Sequence, residues 1–204
     1  MENTDIIVLG GGAAGLMCAI TAGDRGRNVI VLEVSNRIGK KILMSGGGRC
    51  NFTNLHTDPA KFVSANRHFC KSALSRYTQG DFISLVEKHD IPYHEKTLGQ
   101  LFCDNSSKDI VAMMQQECTA AGVKILTDCG DIRVSKNGSF NVSCSHGQFS
   151  CDALVVATGG LSIPKMGASD FGYRLARQFG LSVLETRAGL VPFTFTGKIL
   201  ELCH

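Results

Sequence analysis

Nine cysteines occur in this 204-residue chain, yet no two of them stand in a C-x-x-C spacing. An odd number of thiols without that spacing excludes a complete disulfide framework and the common zinc and dithiol motifs, and it points to a reducing, cytoplasmic setting. Charge of one sign is also missing. The net charge is +3, and Lys40-Lys41 is the nearest thing to a basic cluster. So weak a field argues against nucleic acid or an anionic membrane as the main partner. No apolar run reaches transmembrane length, because Gly10 to Gly12 and Asp24-Arg25 interrupt the N-terminal segment. A charged-then-apolar leader is not expected either, since a strand begins almost at once. The histidines His56, His68, His89, His94, His146 and His204 show no paired spacing for a metal, so no metal site is expected. Internal repeats and low-complexity stretches are absent as well.

What is present is a glycine turn in an informative context. Hydrophobic residues make up 44% of the chain and mean hydropathy is +0.07, values that fit a globular protein rich in buried strands. The apolar run Ile6-Ile7-Val8-Leu9 leads into Gly10-Gly11-Gly12-Ala13-Ala14-Gly15 and then into a helix-like segment from Ala13 to Ala22. A second apolar run, Val29 to Leu32, ends in Glu33. This order is a βαβ dinucleotide-binding unit. Gly10 suits the tight turn, Gly12 lets backbone approach a pyrophosphate, and Gly15 lets helix and strand pack closely. The phosphates belong at the helix N-terminus, where unpaired N–H groups and the helix dipole favour negative charge. Glu33 is placed to accept hydrogen bonds from a ribose diol. The alternative is a glycine-rich turn with no ligand, and Glu33 as a plain charged strand end.

Further along, a long connection spans Ile38 to Asn54. Apolar spacing over residues 68–89 predicts two short helices. Ile91–His94 and Gln100–Cys103 read as strands around a Gly99 turn, and Ser107 as the N-cap of a helix closed by Gly122. Val123–Leu126 reads as a strand. Ile132–Ser135, Phe140–Cys144 and Gln148–Cys151 form a meander with turns at Lys136-Asn137-Gly138 and Ser145-His146-Gly147. It leads into Ala153–Ala157, an unbroken apolar run expected to be a fully buried parallel strand ending at Thr158-Gly159-Gly160. A helix is expected over Asp170–Phe179, a strand at Leu181–Val183, and a domain exit at Pro192.

Two glycine-bearing strand ends separated by a meander resemble the two-dinucleotide-binding-domain flavoproteins related to glutathione reductase. The stretches Ser45-Gly-Gly-Gly-Arg-Cys-Asn-Phe-Thr-Asn54, Gly159-Gly-Leu-Ser-Ile-Pro-Lys-Met-Gly167, Asp170-Phe-Gly-Tyr173 and Gly189-Leu-Val-Pro192 are similar to the HI0933-like, or aminoacetone oxidase-like (BaiN-like), FAD-binding proteins. The resemblance covers essentially the whole chain. It implies an α/β, Rossmann-like FAD-binding domain over 1–191, with a three-stranded β-meander and an inserted segment at about 56–105, and the start of a truncated second domain over 192–204. It also implies that the chain is the N-terminal portion of a longer protein. As cofactor contacts it implies Gly10, Gly12, Ala13, Ala14, Gly15, Glu33, Lys40, Ser45, Gly46, Gly47, Gly48, Arg49, Cys50, Asn51, Asp131, Ala157, Thr158 and Gly159. FAD is then the cofactor, NAD(P)H a candidate electron donor, and a small molecule the substrate. Neither the oligomeric state nor any catalytic residue is assigned.

Within Ser45–Asn54, consecutive glycines can turn backbone N–H groups toward one anion, and Arg49 can fork onto a pyrophosphate or stabilise reduced flavin. A thiolate at Cys50 beside Arg49 would have a lowered pKa and could exchange electrons with flavin. That role needs a second thiol, and none is near in sequence, so Arg49 rather than Cys50 is expected to be the functional residue. His94 beside Tyr93 is a candidate acid/base group, although an ordinary half-buried histidine is the better reading of it. Met113 and Met114 read as core. The leading expectation is therefore an FAD-dependent oxidoreductase. An NAD-dependent dehydrogenase and a non-catalytic or RNA-associated flavoprotein are the alternatives.

Overall fold

The structure is a computed structural model that describes residues 1–163 and 167–189. The expected exit at Pro192, the segment 192–204 and His204 lie outside the described residues. The chain divides into two compact units, Met1–Gly172 and Tyr173–His204.

The first unit begins with strand β1 (Glu2–Leu9), helix α1 (Ala13–Gly23) and strand β2 (Val29–Leu32). β1 and β2 pair in parallel, in register from Ile6 opposite Val29 to Leu9 opposite Leu32. Helix α1 packs back over them, with Ala19 set against Val8, Val29 and Val31. Strand β6 (Lys124–Leu126) extends this sheet beside β2. On the other side of β1 come β9 (Gly147–Val156), β8 (Ser139–Cys144) and β7 (Arg133–Asn137), for a six-stranded order β6-β2-β1-β9-β8-β7. The βαβ unit and the meander are thus parts of one mixed sheet.

Two expectations fail at β9. Its meander half and its parallel half are one continuous ten-residue strand, not two. Nor is Ala153–Ala157 fully buried, since Ala153 and Val156 are exposed. The reason is geometric: β8 stops pairing with β9 at Cys151, so the rest of β9 has only β1 beside it.

The long connection is also more ordered than a loop. It contains helix α2 (Lys40–Met44), a tight turn at Ser45–Gly48 and strand β3 (Asn51–Asn54). β3 pairs antiparallel with β5 (Gln100–Cys103), which pairs with β4 (Tyr93–Glu95), to give a second sheet in the order β3-β5-β4. Helices α3 (Lys71–Arg76) and α4 (Gln79–Lys88) are the expected short pair. Helix α5 (Ser107–Ala120) starts one residue earlier than the sequence suggested. Ser106 is its N-cap and closes a capping box with Asp109, while the Ser107 hydroxyl is buried and donates to the Leu43 carbonyl at 2.9 Å. Met113 and Met114 are core residues, packed with Leu16, Ile42, Val86 and Ile110. Across the unit boundary runs α6 (Phe171–Gln178). In the second unit Leu181–Val183 forms no strand.

Two measurements test this packing. A Cβ added at Gly15 would lie 1.9 Å from the Gly10 carbonyl oxygen, so the backbone must move. Gly15→Ala should cost about 3 kcal/mol, the upper range for overpacking, and lower the urea midpoint accordingly. A Cβ at Gly12 would meet nothing within 4 Å, at φ −86°. Gly12→Ala should therefore cost under about 1 kcal/mol, the loss on a weaker N-cap. The second test concerns pH. Burial pushes the thiols of Cys103, Cys118 and Cys129 up from about 9.0 to about 12, about 11 and about 12. Above pH 9 these thiols ionise in the unfolded chain but not in the folded one. The stability they support is complete below pH 9 and falls as pH rises toward 12, visible as a falling melting temperature.

Candidate functional site

The local folding of the glycine turn opens a cleft at the C-terminal ends of β1, β2 and β9. Gly10 has φ +104°, and a Cβ there would lie 2.6 Å from the Ala157 carbonyl oxygen. The turn is tied on both sides. The Gly10 N–H donates to the Leu32 carbonyl at 2.8 Å, and Ala157 N–H donates to the Leu9 carbonyl at 2.8 Å. Gly39, left-handed at φ +70°, donates its N–H to the Gly11 carbonyl at 2.8 Å and starts α2 beside the turn.

Three adjoining hollows occupy this cleft, of ≈ 350, ≈ 280 and ≈ 510 Å³. Glu33 lines all three. The first runs between Gly10, Glu33, Val34, Asp131, Ile132 and Thr158. The second lies over Gly12, Ala13 and Ala14 at the start of α1, faced by Lys40, Lys41, Ala157 and Gly159. Gly15 sits just behind, against the Gly10 carbonyl. The third is bounded by Ser35, Arg37 and Lys40. A separate apolar hollow of ≈ 280 Å³ next to Ala13 and Lys41 takes in Ser45, Cys50 and Asn51.

The remaining residues of the glycine-arginine loop, Gly46 to Arg49, line none of these hollows. Gly46, Gly47 and Gly48 are left-handed in succession, and the N–H groups of Arg49 and Cys50 donate to the loop's own carbonyls at Gly46 and Ser45. These two donors serve the turn itself and are not aimed at a shared anion. The Arg49 side chain is exposed and forms no ion pair among the described residues. Cys50 is buried, and burial raises its pKa despite a hydrogen bond with Ser45 that lowers it. A lowered pKa beside Arg49 is thus overturned by desolvation. A second thiol that is remote in sequence lies near in the fold: Cys103 donates its N–H to the Arg49 carbonyl at 2.9 Å. The antiparallel pairing of β3 with β5 brings these cysteines together from far apart in sequence.

Polar groups in the cleft are unevenly satisfied. The Glu33 carboxylate accepts the Gly11 N–H at 2.6 Å and the Ser35 N–H at 2.8 Å, and it also accepts the Ser35 hydroxyl. Glu33 therefore holds the glycine turn in place in addition to facing the hollows. The Thr158 hydroxyl is buried and has no hydrogen-bond partner among the described residues. The α1 N-cap, Gly12, supplies no side-chain oxygen to the first-turn N–H groups. Lys41 Nζ donates to Ser162 Oγ at 3.0 Å, reaching from α2 to the segment after β9. Lys40 has no ion pair among the described residues. Of these, Lys41, Ser35 and Gly39 were not singled out from sequence as site residues. The Lys40-Lys41 pair was the one visible hint, and helical geometry puts both lysines on the cleft.

His94 lies elsewhere. It is paired with Asp104 at 2.6 Å, stacked over Phe102, and lines none of these hollows. No group of His, Cys, Asp or Glu among the described residues could hold a metal ion, and no described helix is long and apolar enough to cross a membrane.

Chemically, the cleft offers an apolar slot beside a carboxylate, a helix N-terminus flanked by two lysines, and an unmet hydroxyl. That donor set fits an adenosine diphosphate moiety, the half that FAD shares with the nicotinamide dinucleotides. The chain is 53% identical over 98% of its length to a ribosomal RNA dihydrouridine synthase of Escherichia coli (strain K12), matching 50% of that protein. It is 29% identical over 85% of its length to a 3-dehydro-bile acid delta(4,6)-reductase of Clostridium scindens, matching 43% of that protein. The chain spans about half the length of the curated relatives it matches. These names leave the expectation that nucleic acid is not a partner without support. Among solved structures, the open conformation of a flavocytochrome c3 fumarate reductase superposes with TM-score 0.59 at 17% identity, over 87% of this chain and 40% of that one. The fold is Rossmann-like α/β, with a six-stranded mixed sheet and an added three-stranded antiparallel sheet. A family model, the HI0933-like protein Rossmann domain, matches residues 4–198, and the chain belongs to that family.

Proposed function

We propose that this chain is the FAD-holding part of a reductase that saturates a carbon–carbon double bond conjugated to a carbonyl, with uridine in ribosomal RNA as substrate and NAD(P)H as electron donor. The observation that carries cofactor binding is the Thr158 hydroxyl, buried without a partner on the wall of a cleft whose floor is the open N-terminus of α1. A buried hydroxyl left unpaired costs on the order of 1–3 kcal/mol, which a ligand acceptor removes.

The residue roles follow from position. The N–H groups at Ala13 to Gly15 and the lysines at 40 and 41 hold the pyrophosphate. Glu33 has acceptor capacity left after its bonds to Gly11 and Ser35, and takes the ribose hydroxyls. The slot between Val34, Asp131 and Ile132 takes the adenine. Arg49, exposed and free of an ion pair among the described residues, suits a phosphate better than buried Cys50 suits redox exchange. When bound, the flavin ring supplies the two-electron chemistry.

The substrate class rests on the relatives' names. Making dihydrouridine saturates the C5–C6 bond of uracil, which is conjugated to a ring carbonyl. A bile acid reductase acting at positions 4 and 6 of a 3-dehydro steroid treats a bond of the same electronic kind. Identity of 53% over nearly the whole chain favours the RNA substrate over the steroid. This reading also sets reduction ahead of amine oxidation.

The first test separates binding from folding. Gly12→Val should fold, yet its isopropyl group fills the space a pyrophosphate needs, so purified protein should lose its flavin absorbance. Normal flavin occupancy in that variant would falsify the cofactor assignment. The second test addresses the substrate. The protein, with FAD and NADPH, is incubated with ribosomal RNA from cells lacking it, and nucleosides are then analysed by mass. Dihydrouridine should appear, carrying two added hydrogens. RNA left unchanged while NADPH is consumed and a conjugated steroid is reduced would reject uridine as the substrate.

A further inference from the structure

Cys129 and Cys144 take no part in the roles above. Cys129 is fully buried in the loop between β6 and β7, where its thiol donates to the Leu126 carbonyl at 3.3 Å. Cys144 is half-buried at the end of β8. The two stretches are stitched together. Ser145 N–H donates to the Gly130 carbonyl at 3.0 Å, and Gly130 N–H donates to Ser145 Oγ at 3.1 Å. The Ser145 hydroxyl donates to the Asp128 carbonyl at 2.8 Å, and His146 Nε2 is bonded to the Thr127 carbonyl at 2.8 Å. Each cysteine immediately precedes a member of the bonded pair Gly130 and Ser145, so the two thiols project from adjoining, cross-linked stretches of backbone.

The same loop is a wall of the cleft. Cys129 N–H donates to the Glu33 carbonyl at 2.9 Å, Asp128 N–H donates to the Ser35 carbonyl at 3.0 Å, and Asp131 and Ile132 line the adenine slot. Asp128 and Asp131 on either side of Cys129 are both left-handed, at φ +56° and +54°, so the loop is held in a conformation with little slack.

We propose that Cys129 and Cys144 are a thiol-oxidation site, converted by a small-molecule disulfide to an intramolecular bridge that loosens nucleotide binding. The second half rests on the nucleotide reading of the cleft. Cys144, the more exposed thiol, loses its proton and attacks one sulfur of the small disulfide, and one small thiolate leaves. Cys129 then loses its proton and attacks the Cys144 sulfur of the mixed disulfide, expelling the second small thiolate. The two protons end on the two released thiols, the protein pair is oxidised by two electrons, and the small disulfide is reduced by two. A disulfide fixes its sulfurs about 2.05 Å apart, closer than two unbonded sulfurs can stand, so Cys129 must move toward β8. That movement draws its N–H away from the Glu33 carbonyl and shifts Asp131.

The test uses the full chain, treated with glutathione disulfide and glutathione at graded ratios. Remaining thiols are alkylated, and cross-linked peptides are mapped by mass. A peptide pair joined through Cys129 and Cys144 should form ahead of any other bridge. Its absence while other cysteines oxidise rejects the site. FAD affinity is then measured by flavin fluorescence on reduced and bridged protein. Bridged protein should bind about tenfold more weakly, the loss expected of one hydrogen bond. Cys144→Ser should bind like reduced wild type under both conditions. A bridge that leaves affinity unchanged rejects the coupling. If neither redox state binds FAD, the nucleotide reading and the coupling both fail, and the mapped bridge still decides the oxidation site.

Discussion

The Gly10 carbonyl oxygen sits where a side chain on residue 15 would have to be, and this one close approach governs how α1 leaves β1. Because the first helical turn can lie against the strand end, Ala19 reaches Val8, Val29 and Val31, and Leu16 and Ile20 reach the cluster formed with α4 and α5. The same approach leaves the N-terminus of α1 opening directly onto the ends of three parallel strands. Gly10 is pressed from its other side by the Ala157 carbonyl, so β9 is brought up to the same point. A side chain at either glycine would separate helix, strand and cleft together.

Glu33 links this packing to chemistry. Its carboxylate takes N–H groups from Gly11 and Ser35, so it braces the glycine turn from the neighbouring strand end while lining the hollows above it. One negative charge here faces the helix N-terminus and two lysines at α2. Opposite charges arranged along a groove suit a ligand with a hydroxyl-bearing sugar at one end and phosphates at the other. The unmet Thr158 hydroxyl, arriving from β9, completes a site whose members come from four separate parts of the chain.

The cysteines follow a different logic. Burial raises the pKa of Cys50, Cys103, Cys118 and Cys151, which keeps these thiols protonated and poorly nucleophilic. Most therefore behave as small apolar residues in the core. Cys144 differs by its partial exposure, and the residue after it, Ser145, is bonded to Gly130 in the loop that carries Cys129.

By itself the sequence determined the βαβ unit, because strand, glycine turn, helix and acid are local patterns dictated by periodicity and backbone sterics. The close packing at Gly10 and Gly15 could be assigned for that reason, as could the helices at 71–88 and the strands around Gly99. The long-range decisions belong to the tertiary structure. Whether Ala153–Val156 is buried depends on where β8 ends its pairing, which no local pattern states. Whether Cys50 has a companion thiol depends on β3 lying against β5, some fifty residues away in sequence. The same holds for Ser106 rather than Ser107 as the cap, since the Leu43 carbonyl claims the Ser107 hydroxyl. Lys41 and Thr158 gain their meaning only when α2 and the end of β9 meet across the cleft. Local order is settled by each residue's own backbone and neighbours, whereas burial and hydrogen-bond satisfaction are settled by which distant segments share the same space.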